Sequence, residues 1–309
     1  MIATTRKILS LLAILGLSNI GCGRFWGGVT WYTRSVQPQY IYVADNGNNR
    51  IEKFDLSGNY LSQFGTTGAG NGQFNSPDGI AFDSSGNIYV VDNGDNRVEK
   101  FDFMGNYLSQ FGSFGAGNGQ FNAPEGITLD PSGNIYVVDY FNNRVQIFNS
   151  AGGYLSQFGG AGAGNGQFNH PVDVKLDSSG NIYVTDETND RVQIFNSAGA
   201  YLSQFGSIGV GNGQFSGPFG LTLDSSGNIY VVDGGNNRVE IFNSAGTYLS
   251  QFAAPGAGVA LDLTGNIYII EFGANRVQKF NSAGAFISQF GTVGAGNGQF
   301  NGPTFITIH

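Results

Sequence analysis

One short motif, repeated at a fixed interval, restricts what this chain can become. "NIYVVD" or a close variant starts at Asn87, Asn134, Asn181, Asn228 and Asn266, and "IYVAD" starts at Ile41. Counted between their isoleucines, the intervals are 47, 47, 47, 47 and 38 residues, so six copies of one unit fill residues 41–309. A unit of this size cannot bury an apolar face alone and must stack on its neighbours.

Each unit reads as four short strands. In the second copy they are "GIAFD" (79–83), "IYVVD" (88–92), "RVEKF" (97–101) and "YLSQF" (107–111), followed by the linker "GSFGAGNGQFNAP". β-Branched and aromatic residues fill the runs, and Gly, Asn, Asp and Ser punctuate them, with no helical period. Glycine reaches 50 residues, about 16 % of the chain, against roughly 7 % in an average protein. Because 26 Phe and 14 Tyr accompany it, the glycine marks tight turns rather than disorder. Four-stranded units of this length predict an all-β, six-bladed β-propeller with antiparallel blades. The repeats open at a second strand, Ile41, and end on "TFITIH" (304–309), which aligns with the first strand "DGIAFD" (78–83). The C-terminal strand is therefore expected to complete the N-terminal blade and close the ring, removing an open edge.

The pattern "P.GI.LD.SGNIYVVD..NNRVQIFNS.G", clearest over Pro124–Gly152, resembles the NHL repeat. The resemblance covers nearly all of 41–309 and implies the propeller fold. It leaves function open, since that family includes bacterial sensor domains, peptide-amidating lyases and animal RNA-binding proteins.

The N-terminus is a separate segment. Arg6 and Lys7 precede the apolar run "ILSLLAILGL" (8–17), which reads as an export signal and is too short to span a membrane. Its end, Ile20-Gly21-Cys22, resembles the bacterial lipoprotein signal, although Asn19 stands where that pattern prefers leucine. The expectation is a signal over 1–21, lipidation at Cys22, a linker over 22–40 and the propeller over 41–309, in an exported, membrane-anchored monomer. An ordinary cleaved signal with a leftover thiol is the alternative.

Charge and composition exclude several functions. The net charge is −8 and the pI is near 4.6, so nothing attracts nucleic acid. With one cysteine and two histidines (His170, His309), the chain cannot assemble a thiolate or multi-histidine zinc site. No cofactor motif is present. The linker "GAGNGQF" has no P-loop Lys-Ser/Thr after it. Its repetition predicts glycines in left-handed conformations and Phe74, Phe121, Phe168, Phe215 and Phe300 as plugs between blades.

An acid and an arginine recur in every copy: Asp45, Asp92, Asp139, Asp186, Asp233 and Glu271 with Arg50, Arg97, Arg144, Arg191, Arg238 and Arg276. Chemistry is needed once, whereas a brace is needed once per blade, so these pairs read as structural. A calcium loop at "DNGDN" is the rival reading, but the arginine after it repels a cation.

Function is sought where the copies differ. After the second-strand acid, Tyr140-Phe141 and Glu187-Thr188 replace Asn-Gly or Gly-Gly. At the start of the first strand, Asp78, Glu125, Val172, Phe219, Ala257 and Thr304 share one position, and Asp173 and Phe305 replace glycine in the next. His170 stands where other copies have Ser, Ala or Gly, and Lys175 where they have Ala or Thr. Neutral drift on an exposed loop explains the same list equally well. Read as a site, Tyr140, Phe141, His170, Asp173, Lys175, Glu187, Phe219, Asp78 and Glu125 form a ligand-binding mouth on the linker face. The 38-residue copy has lost nine residues of linker, leaving a notch in that face. The leading expectation is an envelope-anchored, non-catalytic propeller that binds a protein, peptide or glycan. The alternative, suggested by six-bladed lactonases and the amidating lyases, is a metal-dependent hydrolase or lyase. Asp78, Glu125 and Asp173 would hold a hard cation, with His170 as acid or base.

Overall fold

The structure is a computed structural model that describes residues 38–309. The export signal, Cys22 and the linker up to residue 37 lie outside the described residues. No helix among the described residues is long and apolar enough to cross a membrane.

Six four-stranded antiparallel sheets follow one another along the chain. In blade 2 the strands are Pro77–Phe82, Ile88–Asp92, Arg97–Phe101 and Tyr107–Phe111, ordered from the inside outwards. Blade 1 is built from both ends of the propeller. The C-terminal strand Pro303–Ile308 pairs with Tyr40–Asp45, matching Ile41 with Ile308 and Val43 with Ile306. Ring closure is as the sequence implies, with the second strand of blade 1 starting one residue earlier than Ile41, at Tyr40.

Burial follows the position of each strand. The second strand of blades 2 to 5 is buried at all five residues, because both of its faces meet neighbouring blades. The outer "YLSQF" strand of blade 2 exposes Leu108, Ser109 and Gln110 at the rim. Turns between first and second strands are fixed locally. Asp83 Oδ1 accepts from the Ser85 and Asn87 amides at 2.9 Å, Oδ2 accepts from Asn87 Nδ2 at 2.8 Å, and Gly86 supplies φ 82°.

Linkers lock each blade to the next. Phe74 is fully buried against Phe64 of blade 1 and Phe101 of blade 2, with centroids 6.4 and 5.5 Å away. Phe121, Phe168, Phe215 and Phe300 repeat this in four other linkers. Gly65 turns with φ 93° beside the Phe74 ring, and a Cβ there would lie 2.4 Å from it. The repeated arginine completes the joint. Arg144 donates through Nε to Asp139 (2.7 Å) and through Nη2 to the Gly117 and Gln120 carbonyls of the linker (2.9 Å each). Such a pair, desolvated and fully bonded, positions a turn more than it adds net stability.

Candidate functional site

Linkers and second-to-third-strand turns share one face. The Asn93 and Gly94 amides of the blade 2 turn donate to the Ser76 and Asn75 carbonyls of the linker. At this end the inner strands are irregular between Pro77 and Ile80, Pro124 and Ile127, Pro171 and Val174, and Pro218 and Leu221. Bulges of this kind redirect side chains at the rim of a closed sheet. The varying residues sit on them.

Tyr140, Phe141, His170 and Glu187 come together. The Tyr140 ring stacks on His170 (4.5 Å, 8° between planes), and Phe141 meets both rings edge-on at 4.9 and 5.6 Å. The Tyr140 hydroxyl donates to Glu187 Oε2 at 3.0 Å. Tyr140 and Glu187 are 47 residues apart, so they are the same repeat position in adjacent blades. At that position blades 1 and 2 carry Asn46 and Asn93, which reach the Pro77 and Pro124 carbonyls of the next blade. Burial, and then the Glu187 charge, push the Tyr140 hydroxyl pKa well up, so the phenol stays a donor. His170 adopts φ 58°, in a linker position that is left-handed in other copies as well: Ser76 at 60°, Ala123 at 51°. It is held by Asn143 Oδ1 on its amide (2.9 Å) and by Thr188 Oγ1 on Nδ1 (3.2 Å). Phe141 remains 53 % exposed, so the patch presents an aromatic edge to solvent.

Nearer the axis the groups are acidic. Asp78 is buried and accepts from Asn46 Nδ2 (3.0 Å) and Thr304 Oγ1 (2.7 Å) of blade 1; burial raises its pKa to about 6. Glu125 is pushed well up by burial and then by the charges of Asp78, Glu187 and Asp173. Phe219 and Tyr140 pack at the edge of one apolar cluster with Val172, Ile80 and Phe305.

Asp173 and Lys175 have a different setting. Asp173 is 2 % exposed, and both of its oxygens are engaged: Oδ1 with the Val174 amide (2.8 Å) and Lys175 Nζ (2.6 Å), Oδ2 with the Leu221 amide of blade 5 (3.1 Å). Its own amide donates to Thr185 Oγ1 at 2.9 Å. Asp173 therefore ties its own inner strand to the second strand of blade 4 and to the inner strand of blade 5, and Lys175, on the same strand, balances its charge. Thr185 went unnoticed in the sequence, although it is the single polar residue among Ala44, Val91, Val138, Val232 and Ile270 at its position. At the opposite mouth His309 stacks on Phe82 at 4.2 Å, beside a recess of about 330 Å³ also lined by Leu129 and Asp130.

Blade 6 confirms a local gap. Its inner strand shrinks to Val259–Leu261, and the linker before it is only 254–258. The Arg276 side chain is 31 % exposed and Glu271 17 %, whereas the other five arginine side chains are 6–10 % exposed. Ala253 stands where other blades have the linker glycine, and Ala254, fully buried, fills part of the space of the missing aromatic plug.

Comparison with known proteins agrees with this architecture. The family described as NHL repeat matches residues 74–101, 121–148, 168–195 and 215–242. No curated protein matches the chain. Among solved structures, a chain of a nidogen/laminin complex is similar with TM-score 0.66 and 19 % identity, covering 87 % of this chain and 98 % of that one. A Bacteroides caccae protein of unknown function gives 0.65 and 15 %, with 88 % and 99 % covered. A streptogramin B lyase gives 0.62 and 17 %, with 87 % and 83 % covered. At these identities the likeness is one of fold. Four matched repeats, set in a ring of six four-stranded blades closed by its own C-terminal strand, make this chain an NHL-repeat protein with a six-bladed β-propeller fold.

Proposed function

We propose that this protein is a non-catalytic binding propeller of the cell envelope, anchored through Cys22, whose linker face takes a protein, peptide or glycan partner. The observation that carries the reading is the Tyr140–His170 stack with Glu187 on the phenol and Phe141 edge-on and half-exposed. Four departures from the repeat meet in one patch that combines a flat apolar surface, a fixed acceptor and a rigid frame, the elements of a recognition surface. The linkers also expose Phe114, Ile208, Val210 and Val293, single apolar residues spread around the ring. One propeller of similar fold comes from a protein complex, that of nidogen with laminin.

The test compares the parent with Tyr140→Ala and Glu187→Ala in cross-linking pull-downs from the native envelope. Loss of a specific captured species with an unchanged melting temperature supports the reading, and undiminished capture by both variants refutes it. Anchoring is tested separately: Cys22→Ala should move the protein to a soluble fraction.

The second reading, a metal-dependent hydrolase or lyase, draws on Asp78 and Glu125 at the mouth and on the fold shared with streptogramin B lyase. The donor set fits poorly. Asp173 spends both oxygens on amides and Lys175, and among the described residues no three His, Cys, Asp or Glu side chains are grouped to hold an ion. Titration with Ca²⁺ and Zn²⁺, read by melting temperature, discriminates, because a resident ion raises it by mass action.

A further inference from the structure

Five of the six blades show what an unoccupied place in the sixth is shaped to hold. In blade 2, Arg97 Nη1 and Nη2 donate to the Ala69, Gly70 and Gln73 carbonyls at 3.0, 3.1 and 2.8 Å, all from one glycine-rich turn. In blade 5, Arg238 does the same to Val210, Gly211 and Gln214 at 2.9, 2.8 and 2.6 Å. Arg50 and Arg191 repeat the arrangement on their own linkers, and Arg144 takes two of the three carbonyls, Gly117 and Gln120. The turn returns one bond: its Gly119 and Gly166 amides donate to Gln146 and Gln193 Oε1 at 2.9 Å.

In blade 6 the turn is missing but its receptors remain. Arg276 keeps only its Nε bond to Glu271 Oε2 (2.6 Å), and among the described residues no carbonyl reaches either Nη. Gln278, the equivalent of Gln146, keeps its amide bond to Glu271 Oε2 (2.9 Å), and among the described residues no linker amide meets its oxygen. The guanidinium is pinned by its carboxylate and faces the notch with the fork that elsewhere reads main-chain carbonyls. Such a planar fork loses little freedom on binding. Glu271 neutralises it, so the vacancy selects neutral carbonyl oxygens over a free anion.

We propose that this notch binds, in trans, a glycine-rich turn of a partner polypeptide, which presents consecutive main-chain carbonyls to Arg276 and an amide to Gln278. The occupant lacks the aromatic plug that ends the internal linkers, because the buried Ala254 already occupies part of that space. A turn is required rather than a strand, since the oxygens taken by one arginine come from residues i, i+1 and i+4 of the linker, as in Ala69, Gly70 and Gln73. The site is separate from the Tyr140 patch, and its failure would leave that reading standing.

The probe is the capped peptide Ac-GAGNGQ-NH2, the sequence of residues 115–120, followed by NMR at the Arg276 Nε–Hε resonance of the whole protein. The expected result is a saturable shift of that resonance together with saturable shifts of the peptide's own amide signals, and Arg276→Met should abolish the peptide-side response. It should also be abolished by a graft that replaces residues 253–258 with the sequence of 112–126, which fills the notch in cis. Should the graft fail to fold, Gln278→Ala, expected to weaken binding several-fold at the Arg276 resonance, and Arg276→Met, read on the peptide's own signals, still decide the matter. No saturable shift, or a shift that persists in the filled variant, overturns the proposal. An equal response to acetate would show an anion site and overturn it too. Binding seen only after removal of residues 22–37 would assign the notch to that segment rather than to a partner.

Discussion

Replacing Glu99 by glutamine gives blade 2 the side chain that blades 3 and 4 already carry at the same place. There Gln146 Nε2 donates to the Gln120 carbonyl (2.7 Å) and to Asp139 Oδ2 (3.1 Å), while its oxygen accepts from the Gly119 amide. Glu99 faces the same two acceptors with an oxygen, and this Oε2 is buried without a hydrogen-bond partner. Its Oε1 accepts from the Gly72 amide at a longer 3.3 Å. One guanidinium, Arg97, serves three carboxylates: Asp92 at 2.9 Å, and Asp95 and Glu99 at 3.5 Å each. Burial raises Glu99 to about 7 against the pull of Arg97, with Asp92 and Asp95 adding to the rise.

A folded pKa above the open-chain 4.5 means that the native state holds the proton more tightly than the unfolded one. Stability is then complete below pH 4.5, falls as pH rises from there to 7, and levels off above. The full span corresponds to about 3 kcal/mol for this one residue. Glutamine carries its donor at every pH. Between pH 5 and pH 8 the stability gap between Glu99→Gln and the parent should widen by roughly 2 kcal/mol in favour of the variant, on the order of 5 °C in melting temperature. Urea or thermal unfolding at half-unit steps over this range measures it, and subtracting the two profiles cancels other groups that titrate there, such as Asp78 and His309. A constant gap would refute the protonated joint. Glu52, raised to about 7 beside Asp45, Arg50 and Tyr60, and Glu240, also raised, beside Asp233 and Arg238, extend the test to blades 1 and 5.

Three further outcomes are expected. Arg144→Ala strands the buried Asp139 carboxylate and two linker carbonyls and should cost about 3 kcal/mol in urea unfolding. Arg276→Ala should cost distinctly less, because blade 6 has no linker turn to release. Deleting residues 304–309 removes the inner strand of blade 1 and exposes two sheet edges; size-exclusion chromatography should show association and calorimetry a lower melting temperature. Asp78→Asn keeps the Asn46 and Thr304 contacts feasible while removing a carboxyl raised to about 6. It should raise stability at pH 8 relative to pH 5, by about 1–2 kcal/mol, in the same unfolding assay.

What the sequence by itself determined was everything that repeats. The 47-residue period, the Asp-x-Ser-Gly-Asn turns, the acid and arginine of each joint and the terminal first strand are local or periodic signals, and each copy acts as a control on the others. They were enough for a closed ring of six blades. The tertiary structure alone decided which of the departures meet. The side-by-side packing of blades 3 and 4 makes position 140 the neighbour of position 187, and the inner-strand bulges turn Asp78 and Glu125 towards the mouth, while Asp173 became an internal cross-link to Thr185 and the Leu221 amide, with Lys175 beside it. Glu52, Glu99 and Glu240 look like ordinary variation of Gln until burial removes their water. The nine missing linker residues acquire meaning only when Arg276 is seen with its carbonyl partners absent. Periodicity encodes the frame because backbone geometry and turn chemistry are read over a few residues, whereas the energy of a single polar group depends on neighbours brought from other blades.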